Sequence, residues 1–509
     1  MRAILVLFDS LNRGILECYG SDLMETPGFK RLAERTLVFD NHYVGSLPCM
    51  PARRDLQSGR ISFLHRSWGP MEPFDHSLPE ILKSNSVYSH LITDHYHYFE
   101  DGGATYHTRF SSYEFVRGQE GDRWKAMVQP PWERLREKYH PAQFNQKPGS
   151  LLYHYMVNRE YMREEKDFPC VNCFRLANEF LDANHAADDW FLQIETFDPH
   201  EPFYAPPRFR EKFKTDYRGG IRDWPPYSRV TEHKAECDEL RANYMALVAL
   251  CDEQMGKLID KMDALDMWKD TVLVVTTDHG YLLGEHEWWA KNRMHAYQEI
   301  VHIPLFVHHP DLKENAGRRR SSLTQTPDLM PTFLDLLGIA IPPEVTGKSI
   351  RPLLADGGSK LREAQLYGYY GAAVNITDGR YTYFRYPENL REQELFQYTL
   401  MPTHMLQFFN GTEIGAATMA PGGAFSRGMP TMKIPVSPNS PWYRSHGPAK
   451  IVDDETVLFD LQTDPQQLTP ISDRAVEAQL TTLLRACLME QDAPRELYRR
   501  LAIERPAPV

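Results

Sequence analysis

Apolar runs of seven residues recur along the first 308 positions: RAILVLF at 2–8, VYSHLIT at 87–93, WFLQIET at 190–196, TVLVVTT at 271–277 and HIPLFVH at 302–308. Short continuous runs of this kind predict strands buried on both faces. Between them the apolar spacing changes. From His233 to Met267 the residues Tyr244, Leu247, Val248, Cys251, Met255, Leu258, Ile259 and Met262 step by three or four, which predicts an amphipathic helix feeding the strand at 271. Alternation of the two periods marks an α/β domain, and the five strands are expected to lie parallel.

After about residue 360 the texture changes. VNITDGRYTYFRY alternates aromatic and polar residues around Asp378-Gly379 and predicts a hairpin. A turn-rich stretch follows from 402 to 447, then a strand-like ETVLFDL and an amphipathic helix from about Asp473 to Glu490. The expected architecture is a large, mostly parallel sheet sandwiched by helices over residues 1–360, with a smaller antiparallel α+β subdomain over 361–509.

Composition narrows the function classes. Of 509 residues 42% are hydrophobic and 25% charged, and the net charge of −12 argues against electrostatic binding to nucleic acid or anionic lipid. The opening MRAILVLFDS is broken by Asp9 and is too short for a signal-peptide core or a membrane span, so a cytoplasmic location is expected. Seven cysteines make an odd, scattered set that fits a reducing compartment. Cys170 and Cys173 form a CxxC without a partner pair and are read as core or loop thiols.

The chemistry gathers at strand ends. The first run is followed by Asp9, the second leads into TDHYH (93–97), the third into FDPH (197–200), and the fourth into Asp278-His279-Gly280. Taken singly, each reads more readily as a helix N-cap or loop side chain. Four on the carboxyl edge of a parallel sheet, where ligands bind, read as a site. Asp9 and Asp278 can offer carboxylate oxygens and His279 a nitrogen to one divalent cation, a donor set suited to Mn²⁺, Mg²⁺ or Ca²⁺. In LPCMPARRDLQSGR (47–60), Pro51 suits a first helical turn and Gly59 a helix end, which places Cys49 at a helix N-terminus with Arg53 on the same face. Such a position favours an anion.

C-M-P-A-R from Cys49 to Arg53, continued by Leu56 and S-G-R at 58–60, resembles the signature of the sulfatase family, in which the cysteine of C-x-P-x-R is oxidised to formylglycine. Thr26-Pro27 with the helix to Val38-Phe39, DHGYLLGEHEWWAK (278–291), GKSIRPLL (347–354) and LFDLQTDP (458–465) resemble further landmarks of that family, so the similarity spans nearly the whole chain. The resemblance implies an alkaline phosphatase-like fold and a metal held by Asp9, Asp278, His279 and the modified Cys49. It implies that Arg53 stabilises the geminal diol of the aldehyde and that Lys291 neutralises charge on the transferred group. His200 takes the part of leaving-group acid, His97 activates the diol or assists adduct breakdown, and His95 anchors substrate. Loop or packing roles are the alternatives for Lys291, His200 and His95. His404, in MPTHM, is a candidate pocket residue or a packed histidine.

Departures from the pattern shape the substrate reading. Ser10 follows Asp9 where many sulfatases carry a second aspartate, His279 replaces a frequent asparagine, and His95 replaces a lysine. The first two resemble the phosphonate monoester hydrolase branch and related arylsulfatases. Sulfate ester hydrolysis ranks first, phosphonate monoester or phosphodiester hydrolysis at the same site second, and an inert binding protein third. The expected partners are a small anionic ester and a formylglycine-generating or sulfatase-maturating enzyme, with neither nucleic acid nor membrane. The segments 101–185 and 390–450 are assigned to pocket walls or to a homo-oligomer contact.

Overall fold

The computed structural model describes residues 1–436 and 450–505. Its centre is a sheet of β1 (Arg2–Phe8), β2 (Leu37–Phe39), β3 (Tyr88–Thr93), β4 (Ser112–Phe115), β5 (Trp190–Thr196), β6 (Thr271–Thr277), β7 (Leu305–His308) and β8 (Arg319–Arg320). The spatial order is β8-β2-β7-β6-β1-β5-β3-β4. From β6 to β4 the strands run parallel, in a register that sets Phe8 level with Thr196 and Thr277. Asp9, Asp94, Phe197 and Asp278 therefore leave the sheet along one edge.

Parity along β1 shows how the sheet is covered. Ala3, Leu5 and Leu7 belong to one apolar cluster, and Ile4, Val6 and Phe8 to another. Helix α1 (Cys49–Ser58) gives Met50 and Leu56 to the first, while α2 (Pro169–Asn184) and α3 (Lys234–Ala264) line the second. All eight apolar positions expected to face inward on α3 are buried. Cys170 and Cys173 lie on α2 as core thiols in the same cluster as Cys251.

The fifth apolar run departs from expectation. β7 begins only at Leu305, and it is antiparallel to both β6 and β2. A parallel return requires a crossover of a dozen or more residues, usually a helix, back to the far end of the sheet. Between Thr277 and Leu305 the one α-helix is the four-residue Gln298–Val301. The chain instead stays at the carboxyl edge, builds the loop that carries Lys291, and re-enters the sheet from that side.

A second sheet is made of β9 (Gln365–Tyr369), β10 (Val374–Thr377), β11 (Tyr381–Arg385) and β12 (Val457–Asp460), antiparallel in the order β12-β11-β10-β9. The β10–β11 hairpin turns at Asp378-Gly379, with Gly379 at φ 93. Helix α4 (Arg474–Glu490) starts at Asp473, whose side chain accepts from the N–H groups of Ala475 and Val476 at 2.9 and 3.2 Å. The open edge of β9 pairs in parallel with the short strand Ser46–Leu47, two residues ahead of Cys49. Of the turn-rich 402–447 stretch, residues 437–447 lie outside the described residues. Among the described residues no helix is long and apolar enough to cross a membrane.

Candidate active site

Helix α1 is buried over its whole length and ends at Gly59, whose left-handed backbone (φ 68) lets its N–H reach the Asp55 carbonyl at 2.9 Å. This holds Cys49 at the helix N-terminus, against the carboxyl edge of the sheet. The Cys49 Sγ lies 3.2 Å from His279 Nε2. Asp9, Cys49, Asp278 and His279 present side-chain atoms that all fall within 4.8 Å of one another, and all four residues are buried.

Arg53 sits one turn along α1 and binds three carboxylates at once. Its Nη2 donates to Asp9 at 2.9 Å, its Nη1 to Asp278 at 2.6 Å and to the Cys49 carbonyl at 3.1 Å, and its Nε to Glu195 at 2.5 Å. The planar fork of a guanidinium can hold three partners in one plane, and an ammonium cannot. Burial works against its charge, but Glu195, Asp278 and Asp9 hold its pKa well above the ordinary value.

The turn after β1 is strained and fully tied. Ser10 has φ 63, a conformation that costs a non-glycine residue about 1 kcal/mol or more. Its N–H donates to Asp278 at 3.1 Å, its Oγ to Asp9 at 2.8 Å, and its carbonyl accepts from Tyr244 Oη at 2.8 Å. Lys291 Nζ donates to the same Ser10 Oγ at 2.9 Å and lies 4.0 Å from Asp9. Ala290 and Asn292, on either side of Lys291, are also left-handed, at φ 71 and 64. Burial opposes the lysine's charge, yet the carboxylates of Glu201, Asp9 and Asp278 raise its pKa above the ordinary value. Ser10 thus links the lysine to the carboxylate where a second aspartate stands in many sulfatases.

The histidines divide by environment. His279 gives its Nδ1 proton to the Gly280 carbonyl at 2.9 Å, which leaves the Nε2 lone pair facing Cys49. Burial, with Lys291, pushes its pKa down to about 3. His200 likewise donates from Nδ1 to the Glu201 carbonyl at 2.6 Å, and burial and Lys291 press its pKa well below the usual range. His97 is the opposite case: burial works against its charge, but Glu100, 2.7 Å from Nδ1, and Glu120 raise its pKa. Phe197 lies between these rings, with centroids 4.4 Å from His200 and 6.3 Å from His97. His95 packs on Phe197 at 4.6 Å and on the Met50 sulfur at 3.2 Å, and burial keeps it neutral.

The structure therefore gathers Asp9, Cys49, Arg53, Asp278, His279 and Lys291 into one buried cluster, with His200, His95 and His97 at the next two strand ends. It does not bring His404 into that cluster: its Nε2 bonds Glu413 at 2.8 Å on the short helix that follows. Glu195 escaped the sequence reading. The signal available was an acid near the end of an otherwise apolar strand, a placement that a buried carboxylate tolerates only with partners.

The donor set fits one cation. Ligand atoms about 2.0–2.4 Å from an ion lie at most about twice that apart, as these do. Two carboxylates and an imidazole suit Mn²⁺, Mg²⁺ or Ca²⁺, and such ions favour oxygen over a thiol at the fourth position. Burial, reinforced by Asp9, also pushes the Cys49 thiol well above its ordinary pKa, so the unmodified side chain is neutral.

Comparison with known proteins supplies the family context. The sulfatase family profile matches residues 2–339, and a profile described as N-sulphoglucosamine sulphohydrolase, C-terminal, matches 284–419. The chain is 23% identical over 423 residues to an N-acetylglucosamine-6-O-sulfatase of Bacteroides thetaiotaomicron, covering 72% of this chain and 74% of that protein. It is 25% identical over 419 residues to a choline-sulfatase of Rhizobium meliloti, covering 75% and 77%. The solved phosphonate monoester hydrolase of Agrobacterium radiobacter superposes with a TM-score of 0.62 at 17% identity, over 97% of this chain and 95% of that one.

Proposed function

The chain belongs to the sulfatase family, and from that premise we propose that it hydrolyses sulfate esters of small alcohols through a formylglycine made from Cys49, beside one divalent cation. The observation that carries this reading is the meeting of Cys49, at a helix N-terminus, with Asp9, Asp278 and His279 within 4.8 Å. The cation, when bound by those residues, supplies a Lewis acid that polarises the ester and neutralises its charge. The aldehyde, when hydrated, supplies two hydroxyls, one to attack sulfur and one whose deprotonation later expels the sulfate without water attacking the adduct.

The protein's own residues do the rest. Arg53 fixes Asp9 and Asp278 and caps the Cys49 carbonyl, so the nucleophile and the cation's ligands keep one geometry. Lys291, through Ser10, sets a positive charge beside Asp9, where the transferred group gains negative charge. The two histidines separate by what they can hold. His97, whose pKa Glu100 raises, is assigned the proton for the departing alcohol oxygen, and His200, whose pKa burial lowers, is assigned the proton from the second hydroxyl. This reverses the division that the family resemblance implies.

A second reading, phosphonate monoester or phosphodiester hydrolysis at the same site, is favoured by Ser10 and His279, the two departures at the cation's ligands. Rates on matched aryl sulfate, aryl phosphonate and aryl diester substrates separate the two, using enzyme co-produced with a maturating enzyme. The sulfate is expected to show the highest kcat/KM, and Cys49→Ala is expected to lower it at least ~10³-fold. A variant as active as the parent contradicts the nucleophile, and a phosphonate preference of about two orders of magnitude or more reverses the substrate ranking.

A further inference from the structure

A third carboxylate is built into the floor of the site. Glu195 Oε1 accepts from Arg53 Nε at 2.5 Å, and Oε2 accepts from Tyr98 Oη at 2.9 Å and Gln193 Nε2 at 3.0 Å. The guanidinium N–H can only donate, and both oxygens are engaged as acceptors, which is the bonding of a carboxylate. Burial raises its pKa above the ordinary carboxylate value, with Arg53 opposing, and it is the donors on both oxygens that hold it as a carboxylate.

Ion pairs of 4.0 Å or less join five ionised groups here: Asp9, Asp278 and Glu195 with Arg53 and Lys291. His279, 3.4 Å from Asp278, is neutral. Within 4.0 Å these three negative and two positive charges sum to −1, and a divalent cation brings this inner set to +1; buried Glu201 and His97, beyond that distance, are of opposite sign when ionised. All five side chains are at most 2% exposed, so water screens this charge poorly. A loaded site of +1 matches a singly charged ester. It also leaves the doubly charged sulfate product in excess, which favours release. Neutralising Glu195 raises the loaded site to +2, the match for a dianion.

We propose that Glu195 is the specificity-setting residue of this site: its charge selects monoanionic esters over dianionic ones, while its grip on Arg53 positions the ligands of the cation. The inference rests on the hydrolase reading above.

The test compares binding of methanesulfonate, a monoanion, and inorganic sulfate, a dianion, to the Mn²⁺-loaded full chain by calorimetry, in the parent, Glu195→Gln and Glu195→Asp. In the parent, sulfate is expected to bind no tighter than methanesulfonate. Glu195→Gln is expected to shift the ratio about tenfold or more toward sulfate, the scale of one added charge in a buried site. Glu195→Asp keeps the charge and is expected to leave the ratio near the parent's. Titration of the metal-free proteins with Mn²⁺ is expected to show affinity about 10–100-fold weaker in Glu195→Gln. An unmoved ratio, or an equal shift in both variants, overturns the proposal. If Glu195→Gln does not fold, Glu195→Ala, which also removes the charge, takes its place with the same expected shift, and an unmoved ratio in it overturns the proposal. Turnover of an aryl sulfate by the parent is measured alongside. Its absence defeats the hydrolase reading, whereas turnover with an unmoved ratio defeats only the role of Glu195.

Discussion

Arg53 shows how much a single side chain carries here. It is the only guanidinium paired with Asp9, Asp278 and Glu195 among the described residues, and its loss leaves three buried carboxylates facing one another. Breaking a buried ion pair by removing one partner costs about 3–5 kcal/mol. Arg53→Met is accordingly expected to lower the unfolding free energy by roughly that amount in denaturant titrations of the metal-free protein, and a loss under about 1 kcal/mol would contradict the clamp. His97 makes a different prediction. If its proton goes to the leaving alcohol, activity requires the imidazolium, so kcat/KM falls as pH rises through a pKa lying above the ordinary histidine value. Glu100→Gln removes the main group that raises it. The alkaline limb of the pH–rate profile should then move to lower pH, while an unmoved limb assigns the proton to another group.

At the scale of elements, legibility followed local pattern. β1, β5 and β6 end where their apolar runs end, and α4 begins at the Asp473 cap, because each is specified by its own residues. The direction of β7 was not legible in HIPLFVH itself. It is set by the absence of a crossover helix in the 27 residues before it, so the information lay outside the strand. The loop after β6 makes a sharper demand on one glycine: a Cβ at Gly280 would meet the Glu299 carbonyl oxygen at 2.0 Å. Gly280→Ala must therefore push apart the backbone that carries Asp278 and His279. The expected result is Mn²⁺ affinity about 10–100-fold weaker by equilibrium titration, and parental affinity would show that this close approach is not needed. Glu195 and the Ser10–Lys291 link stayed hidden for a related reason. They arise from contacts between segments distant in sequence, which no single segment encodes.

Over the whole molecule, the two sheets meet at the nucleophile. Ser46–Leu47 extends the C-terminal sheet two residues before Cys49, while Arg53 on the next turn grips the ends of β1, β5 and β6. The boundary expected near residue 360 could not reveal this pairing, because the strand involved is two residues long. Cation binding should consequently stabilise the fold as a unit. At a free concentration of 100 Kd the gain is about 2.7 kcal/mol, or roughly 2–3 °C in Tm for a chain of this size, lost on chelation and restored by Mn²⁺. Calorimetric scans with and without chelator check it, and an unchanged Tm argues against a cation at Asp9, Asp278 and His279. Catalysis by this chain turns on what position 49 becomes. Mass spectrometry of the peptide spanning residue 49, from active enzyme purified from its own cell, is predicted to find an aldehyde in place of the thiol. Fully active enzyme that retains an intact cysteine there would contradict it.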